Sequence, residues 1–198
     1  MAADRVADDG VVRSAYRWVG ALALVLTVGV ALLVLGGVLG RPVLADRLGP
    51  APMTPVDGAA ARVVRVTDGD TLRVSVDGRV ERLRIIGIDA PEVREDECQA
   101  QESTALMELL VADGQVRIAA DDTQAERDVY GRILRHVWLA DGRSVALEML
   151  TAGLAREYTY AAPYAGVAEH RAAEDEARAA GRGVWGEVCA GRTSAPPP

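Results

Sequence analysis

The stretch from Thr71 to Ile88 constrains the fold most. Leu72, Val74 and Val76 alternate with Arg73 and Ser75, then Asp77-Gly78 interrupts, and a second run follows from Val80 to Ile88. Alternation with a period of two puts one face of a strand in a core and the other in water. Asp and Gly both tolerate the positive φ of a tight hairpin turn, so the two runs pair as an antiparallel hairpin. A further β-like run, Arg62 to Thr67, precedes them and makes a three-stranded meander.

Beyond the meander the period changes. Ala105, Leu106, Leu109 and Leu110 share one face of a helix over Glu97–Ala112, which Asp113-Gly114 ends. Two more strands are expected at Gln115–Ala119 and Arg132–Ala140, with helices at Ser144–Ala152, stopped by Gly153, and Pro163–Ala180, stopped by Gly181. Five strands with about three helices predict an α+β domain built on a small closed β-barrel of OB type. The charged face Glu169–Arg178 reads as solvated helix surface.

Ahead of this domain lies a 23-residue run without charge, Trp18 to Gly40, bounded by Arg17 and Arg41. A segment of this length spans the hydrocarbon core as a helix. Arg5, Arg13 and Arg17 before it, against Arg41 and Arg47 after it, slightly favour an inside N-terminus. The organisation expected is a tail at 1–17, a transmembrane anchor at 18–40, a Pro/Ala-rich linker at 41–60, the folded domain at 61–190 and a tail at 191–198. The chain is then a single-pass protein of the cell membrane with its domain outside. Val43-Leu44-Ala45 offers the alternative of secretion after signal cleavage near Ala45.

The net charge is −7, and the first 45 residues carry four arginines against three aspartates, so the domain itself is more acidic still. That balance excludes tight, nonspecific coating of duplex nucleic acid, and any contact with a polyanion needs a local cationic site. Cys98 and Cys189 are the only cysteines. In an exported domain an even count points to a disulfide, the alternative being two buried thiols.

Three segments set charge beside a turn: VTDGDT at 66–71, LRIIGIDAPE at 83–92 and DVYGR at 128–132. Singly, each is explained as a polar turn or a strand exit. Together they hold what metal-assisted hydrolysis of a phosphodiester needs. Asp70 and Asp89 are hard oxygen donors suited to Ca²⁺ or Mg²⁺, and no Cys/His cluster offers a zinc site. Glu92 supplies a third carboxylate that holds an attacking water or binds the ion through one. Arg84 and Arg132 are planar donor forks matched to phosphate oxygens. His136 and His170 have no partner at ligand spacing and read as structural.

In content, order and placement these segments resemble the staphylococcal nuclease family over roughly residues 61–189. The resemblance implies calcium bound by Asp70, Asp89 and the backbone carbonyl of Ala90, Glu92 as the general base or water-orienting group, and Arg84 and Arg132 as catalytic phosphate contacts. It implies substrate contacts from Tyr130, Tyr158 and Tyr160, the last two also readable as rim packing, and a terminal hydrophobic plug at Trp185. The substrates implied are DNA and RNA, cleaved to 3′-phosphates, with no obligate protein partner. Two positions depart from the family pattern: Val129 replaces a lysine, and the loop after Glu92 is short and acidic and carries Cys98. The rival class is a catalytically inert OB-type module, displayed outside the cell, that binds nucleic acid or protein.

Overall fold

A computed structural model describes Thr54 and residues 58–190; the anchor and both tails, with most of the linker, lie outside the described residues. Among the described residues no helix is long and apolar enough to cross a membrane. In chain order the elements are β1 (Ala59–Val66), β2 (Thr71–Val76), β3 (Arg79–Ile85), β4 (Ile88–Asp89), α1 (Ala100–Leu110), β5 (Gln115–Ala119), β6 (Ile133–Leu139), α2 (Val145–Thr151), β7 (Arg156–Glu157) and α3 (Val167–Ala179). Five strands close a barrel in the order β1-β2-β3-β6-β5, and β4 pairs with β7 as a separate two-stranded ladder. Among the described residues the fold is α+β, with the expected five-stranded barrel and three α-helices.

The hairpin turns at Asp77 and Gly78, both at positive φ, as that dipeptide dictates. β3 runs antiparallel to β2 and parallel to β6, and β5 closes the barrel antiparallel to β1. Inward-facing Leu72, Val74, Leu83, Ile85, Val116, Ile118, Ile133, Val137 and Leu139 form the core. Met107 of α1 and Val145, Met149 and Leu150 of α2 join the same cluster. Each such side chain withdrawn from water contributes roughly 1.5–3 kcal/mol.

Several expectations are corrected. The run Val80–Ile88 is not one strand: Gly87 sits at φ +83° and divides it into β3 and β4. A Cβ at Gly87 would meet the Tyr164 ring at 2.5 Å, so the break also admits close packing from the α3 side. The first helix starts at Ala100 rather than Glu97, after a 3₁₀ turn at Val93–Glu95 and Gln99 at φ 69°. α2 begins one residue late because Ser144 is its N-cap, accepting from the Leu147 amide. α3 starts at Val167, after Gly166 in the left-handed region, and not at Pro163. Trp185 is no core plug: it is half-buried, with the guanidinium groups of Arg156 and Arg178 4.5 and 4.3 Å from its ring.

Cys98 and Cys189 form a disulfide across 91 residues. It fastens the segment before α1 to the 3₁₀ turn Glu187–Cys189 at the far end of the domain.

Candidate active site

Asp70 ends the turn between β1 and β2 and is fully buried. The turn is tight because Gly69 has no side chain; a Cβ there would lie 2.0 Å from Ser103 Oγ on α1 and 2.7 Å from the Ala90 Cβ. Asp70 Oδ2 accepts from the Ala90 amide at 2.7 Å, and Oδ1 accepts from the Thr71 hydroxyl at 2.9 Å. Register places Thr71 directly across from Arg84, so the Arg84 guanidinium meets the Asp70 carboxylate in a buried ion pair.

The same guanidinium reaches a second carboxylate. Arg84 Nη2 donates to Asp89 Oδ1 at 2.6 Å and to the Ile88 carbonyl at 3.1 Å. Asp89 is fixed by β4, whose ladder sets it opposite Arg156. Asp70 and Asp89, 19 positions apart in sequence, thus converge within the span of one planar cation.

Arg132 joins the cluster from the residue just before β6. Its Nε donates to Asp128 Oδ2 at 2.6 Å, and its Nη1 donates to Thr71 Oγ1 at 3.2 Å. Asp128 Oδ1 also accepts from the Arg132 amide at 2.9 Å, which holds the guanidinium's orientation. An unbroken chain of contacts therefore runs Arg132, Thr71, Asp70, Arg84, Asp89. Thr71 and Asp128 have no role in the sequence reading, although both lie inside segments singled out there. Their signal is the hydroxyl beside Asp70 and the carboxylate four residues before Arg132.

Glu92 follows Pro91 on the loop leaving β4. Its amide donates to Glu97 Oε2 at 2.8 Å, closing the short acidic loop that ends at Cys98. Burial raises the Glu92 carboxyl above its ordinary value, and the nearby Asp70 charge raises it further against the pull of Arg84. Burial likewise raises Asp89, opposed by Arg84, and pushes Asp70 up to about 6. For Arg84, burial works against the charged form, but Asp70 and Asp89 outweigh it and raise the guanidinium.

The tyrosines stand apart from this cluster to different degrees. Tyr130 is 71 % exposed, with the Arg132 guanidinium 5.4 Å from its ring centre. Tyr158 is half-buried and donates its amide to the Gly87 carbonyl at 3.3 Å, beside β4. Tyr160 is 74 % exposed, its ring 6.3 Å from that of Tyr158. The histidines are structural: His136 pairs with Asp121 at 3.0 Å, and His170 Nδ1 lies 3.0 Å from the Tyr164 hydroxyl.

Among the described residues no group of three or more His, Cys, Asp or Glu side chains is gathered to hold a metal ion. The donors present for a cation are the carboxylates of Asp70 and Asp89. Their fit to a hard divalent ion rests on two observations: both are oxygen donors of the kind such ions take, and both close on the same point, which a positive group, the Arg84 guanidinium, already occupies.

Comparison with known proteins identifies the family to which the chain is similar. The family described as "Staphylococcal nuclease homologue" matches residues 82–187. An uncharacterized endonuclease of Escherichia coli is 39 % identical over 127 residues, covering 64 % of this chain and 77 % of that protein. The thermonuclease of Staphylococcus hyicus is 33 % identical over 129 residues, covering 63 % and 74 %. Endonuclease YncB of Bacillus subtilis is 31 % identical over 126 residues, covering 61 % and 59 %. The family match and the relatives' endonuclease and thermonuclease names identify the chain as a nuclease. The chain belongs to the staphylococcal nuclease homologue family.

Proposed function

We propose that this protein is a calcium-dependent endonuclease that hydrolyses phosphodiester bonds in DNA and RNA and leaves 3′-phosphate ends. The observation that carries the reading is the convergence of Asp70 and Asp89 on Arg84, with Arg132 tied to the same cluster through Thr71. Asp70, Asp89 and the Ala90 carbonyl are the groups that hold calcium in this reading. When bound, the ion supplies Lewis-acid polarisation of a phosphate oxygen.

The remaining work falls to side chains of the chain itself. Glu92 takes the proton of the attacking water; its raised carboxyl is better matched to that transfer than an ordinary glutamate. Water oxygen bonds to phosphorus as the bond to the 5′-oxygen breaks, and the departing oxygen is protonated from solvent. Arg84 and Arg132 offer donor forks to the phosphate oxygens as negative charge accumulates on them. Tyr130, Tyr158 and Tyr160 give base and sugar faces a surface on which to stack.

We place this activity outside the cytoplasm, held at the membrane by residues 18–40 or released by cleavage near Ala45. The Cys98–Cys189 bridge supports an oxidising compartment. Protease treatment of intact cells that left the domain untouched would overturn the location.

The function is tested by incubating the full chain with denatured DNA and with RNA, in calcium and in chelator, and by end analysis of the products. Degradation in calcium alone, lost in Arg84→Ala and Glu92→Gln, is expected. Retained strand binding without turnover in any divalent ion would leave the inert binding module instead.

A further inference from the structure

Every one of the chain's 22 basic residues is an arginine, and three of them form a row that makes no ion pair with a carboxylate among the described residues. Across the outer face of the barrel Arg65 stands directly opposite Arg73, and Arg73 directly opposite Arg82. All three are exposed. Residues opposite one another in adjacent strands project from the same face with Cβ atoms about 5 Å apart, and like charges so placed destabilise a sheet. Among the described residues, the arginine ion pairs involve Arg84, Arg127, Arg132, Arg135, Arg143, Arg171, Arg178 and Arg182, none of them in this row.

The row depends on an irregularity in β1. Val63 faces Val74, yet Arg65 faces Arg73, so Val64 is an extra residue bulged out of the ladder and more than half exposed. Without it the register would put Val64 opposite Arg73 and turn Arg65 toward the core. Bulges re-aim side chains in this way. Here the result is a third positive charge in line with two others.

The row also adjoins the candidate active site. Two residues along β2 from Arg73 is Thr71, opposite Arg84 and bonded to Arg132. That step is about 7 Å along a strand. In the other direction Arg62, exposed, faces Ser75. A continuous cationic band thus leads away from Arg84 on a protein whose net charge is −7.

We propose that Arg65, Arg73 and Arg82 form the track that holds the phosphate backbone of the substrate strand beyond the scissile bond. The preferred substrate is therefore a polynucleotide strand rather than a dinucleotide. This rests on the nuclease reading. Charge complementarity selects the occupant: a band of exposed guanidinium groups continuous with the phosphate-binding arginines matches a backbone with one negative charge per residue.

The test compares the full chain with the triple variant Arg65→Gln, Arg73→Gln, Arg82→Gln. A control variant neutralises Arg143, Arg178 and Arg182, which already pair with carboxylates. Binding of a single strand of about 15 nucleotides is followed by fluorescence anisotropy in chelator across a salt series. The triple variant is expected to bind about tenfold more weakly at low salt, and its log–log salt slope to shrink by about 2, near 0.7 per lost phosphate contact. In calcium, its kcat/KM ratio for strand over dinucleotide falls about tenfold, while the control matches wild type. Its melting temperature does not drop, since like-charge repulsion is relieved.

An unchanged affinity and salt slope in the triple variant overturns the track. So does intact strand binding combined with lost adhesion to phosphatidylserine vesicles, which marks a lipid-facing patch. Strand binding that shows the expected slope change, in a protein that hydrolyses nothing, retains the track and removes the nuclease mechanism.

Discussion

Ala90 donates its backbone N–H to Asp70 Oδ2 over 2.7 Å, and this one bond ties the turn after β4 to the turn before β2. The two turns lie 20 residues apart in the chain. The bond makes the placement of Asp70 a property of the backbone as well as of its ion pair, so losing Arg84 should unbalance charge at the site more than it moves Asp70.

Arg84→Ala is accordingly expected to destabilise the protein by roughly 3 kcal/mol, because it leaves Asp70 buried without its counter-charge. Urea unfolding in chelator measures the loss. Added calcium should recover more stability in this variant than in wild type, where Arg84 already neutralises both carboxylates; an equal shift in the two proteins would count against Asp70 and Asp89 as the calcium donors.

Thr71→Val keeps the strand's shape and removes the hydroxyl that links Asp70 to Arg132. A cost of about 1 kcal/mol is expected, because Asp70 Oδ1 keeps the Arg84 guanidinium while Arg132 Nη1 loses its acceptor. If Thr71 positions Arg132, kcat falls while KM changes little, and a purely structural role would lower stability alone.

The barrel was legible from β2 and β3 because the alternation and Asp77-Gly78 are local signals carried by adjacent residues. The bulge at Val64 and the two-residue pairing of β4 with β7 were not, since both depend on register against strands far along the chain. Gly87 carried a signal, an isolated glycine inside a strand pattern, whose effect is explained by the Tyr164 ring packed against it. In the site, the residues implied by the family resemblance, Asp70, Arg84, Asp89 and Arg132, lie in one connected cluster. Thr71 and Asp128 escaped notice because a supporting hydrogen bond leaves no mark on composition or periodicity. Trp185 was misread for a similar reason: the stacking arginines arrive from β7 and α3.

Acid should weaken the fold through His170. Burial holds its imidazole at about 4 in the folded protein, against 6.5 for the ordinary side chain. Between those values the unfolded chain binds a proton that the folded one refuses, so stability is full above pH 6.5 and declines toward pH 4. The decline attributable to this group is on the order of 3 kcal/mol. His170→Asn should flatten that part of the profile in urea melts taken from pH 7 to pH 4, and an identical slope in the variant would remove His170 as the cause.

Breaking the Cys98–Cys189 bridge with paired serine substitutions is expected to cost about 4 kcal/mol, from the freedom returned to a long unfolded loop. Glu97 both precedes Cys98 and holds the Glu92 amide, so turnover should fall at temperatures where the variant is still folded. Circular dichroism alongside the nuclease assay separates the two effects. Activity that tracks only the folded fraction would deny the bridge any part in placing Glu92.

The same bridge changes what a cut in the chain does. Because it links residues 98 and 189, one protease nick anywhere between them yields two fragments that are still covalently joined, with the five barrel strands on one connected molecule. Wherever the domain meets peptidases, a single scission is damage it can carry without coming apart.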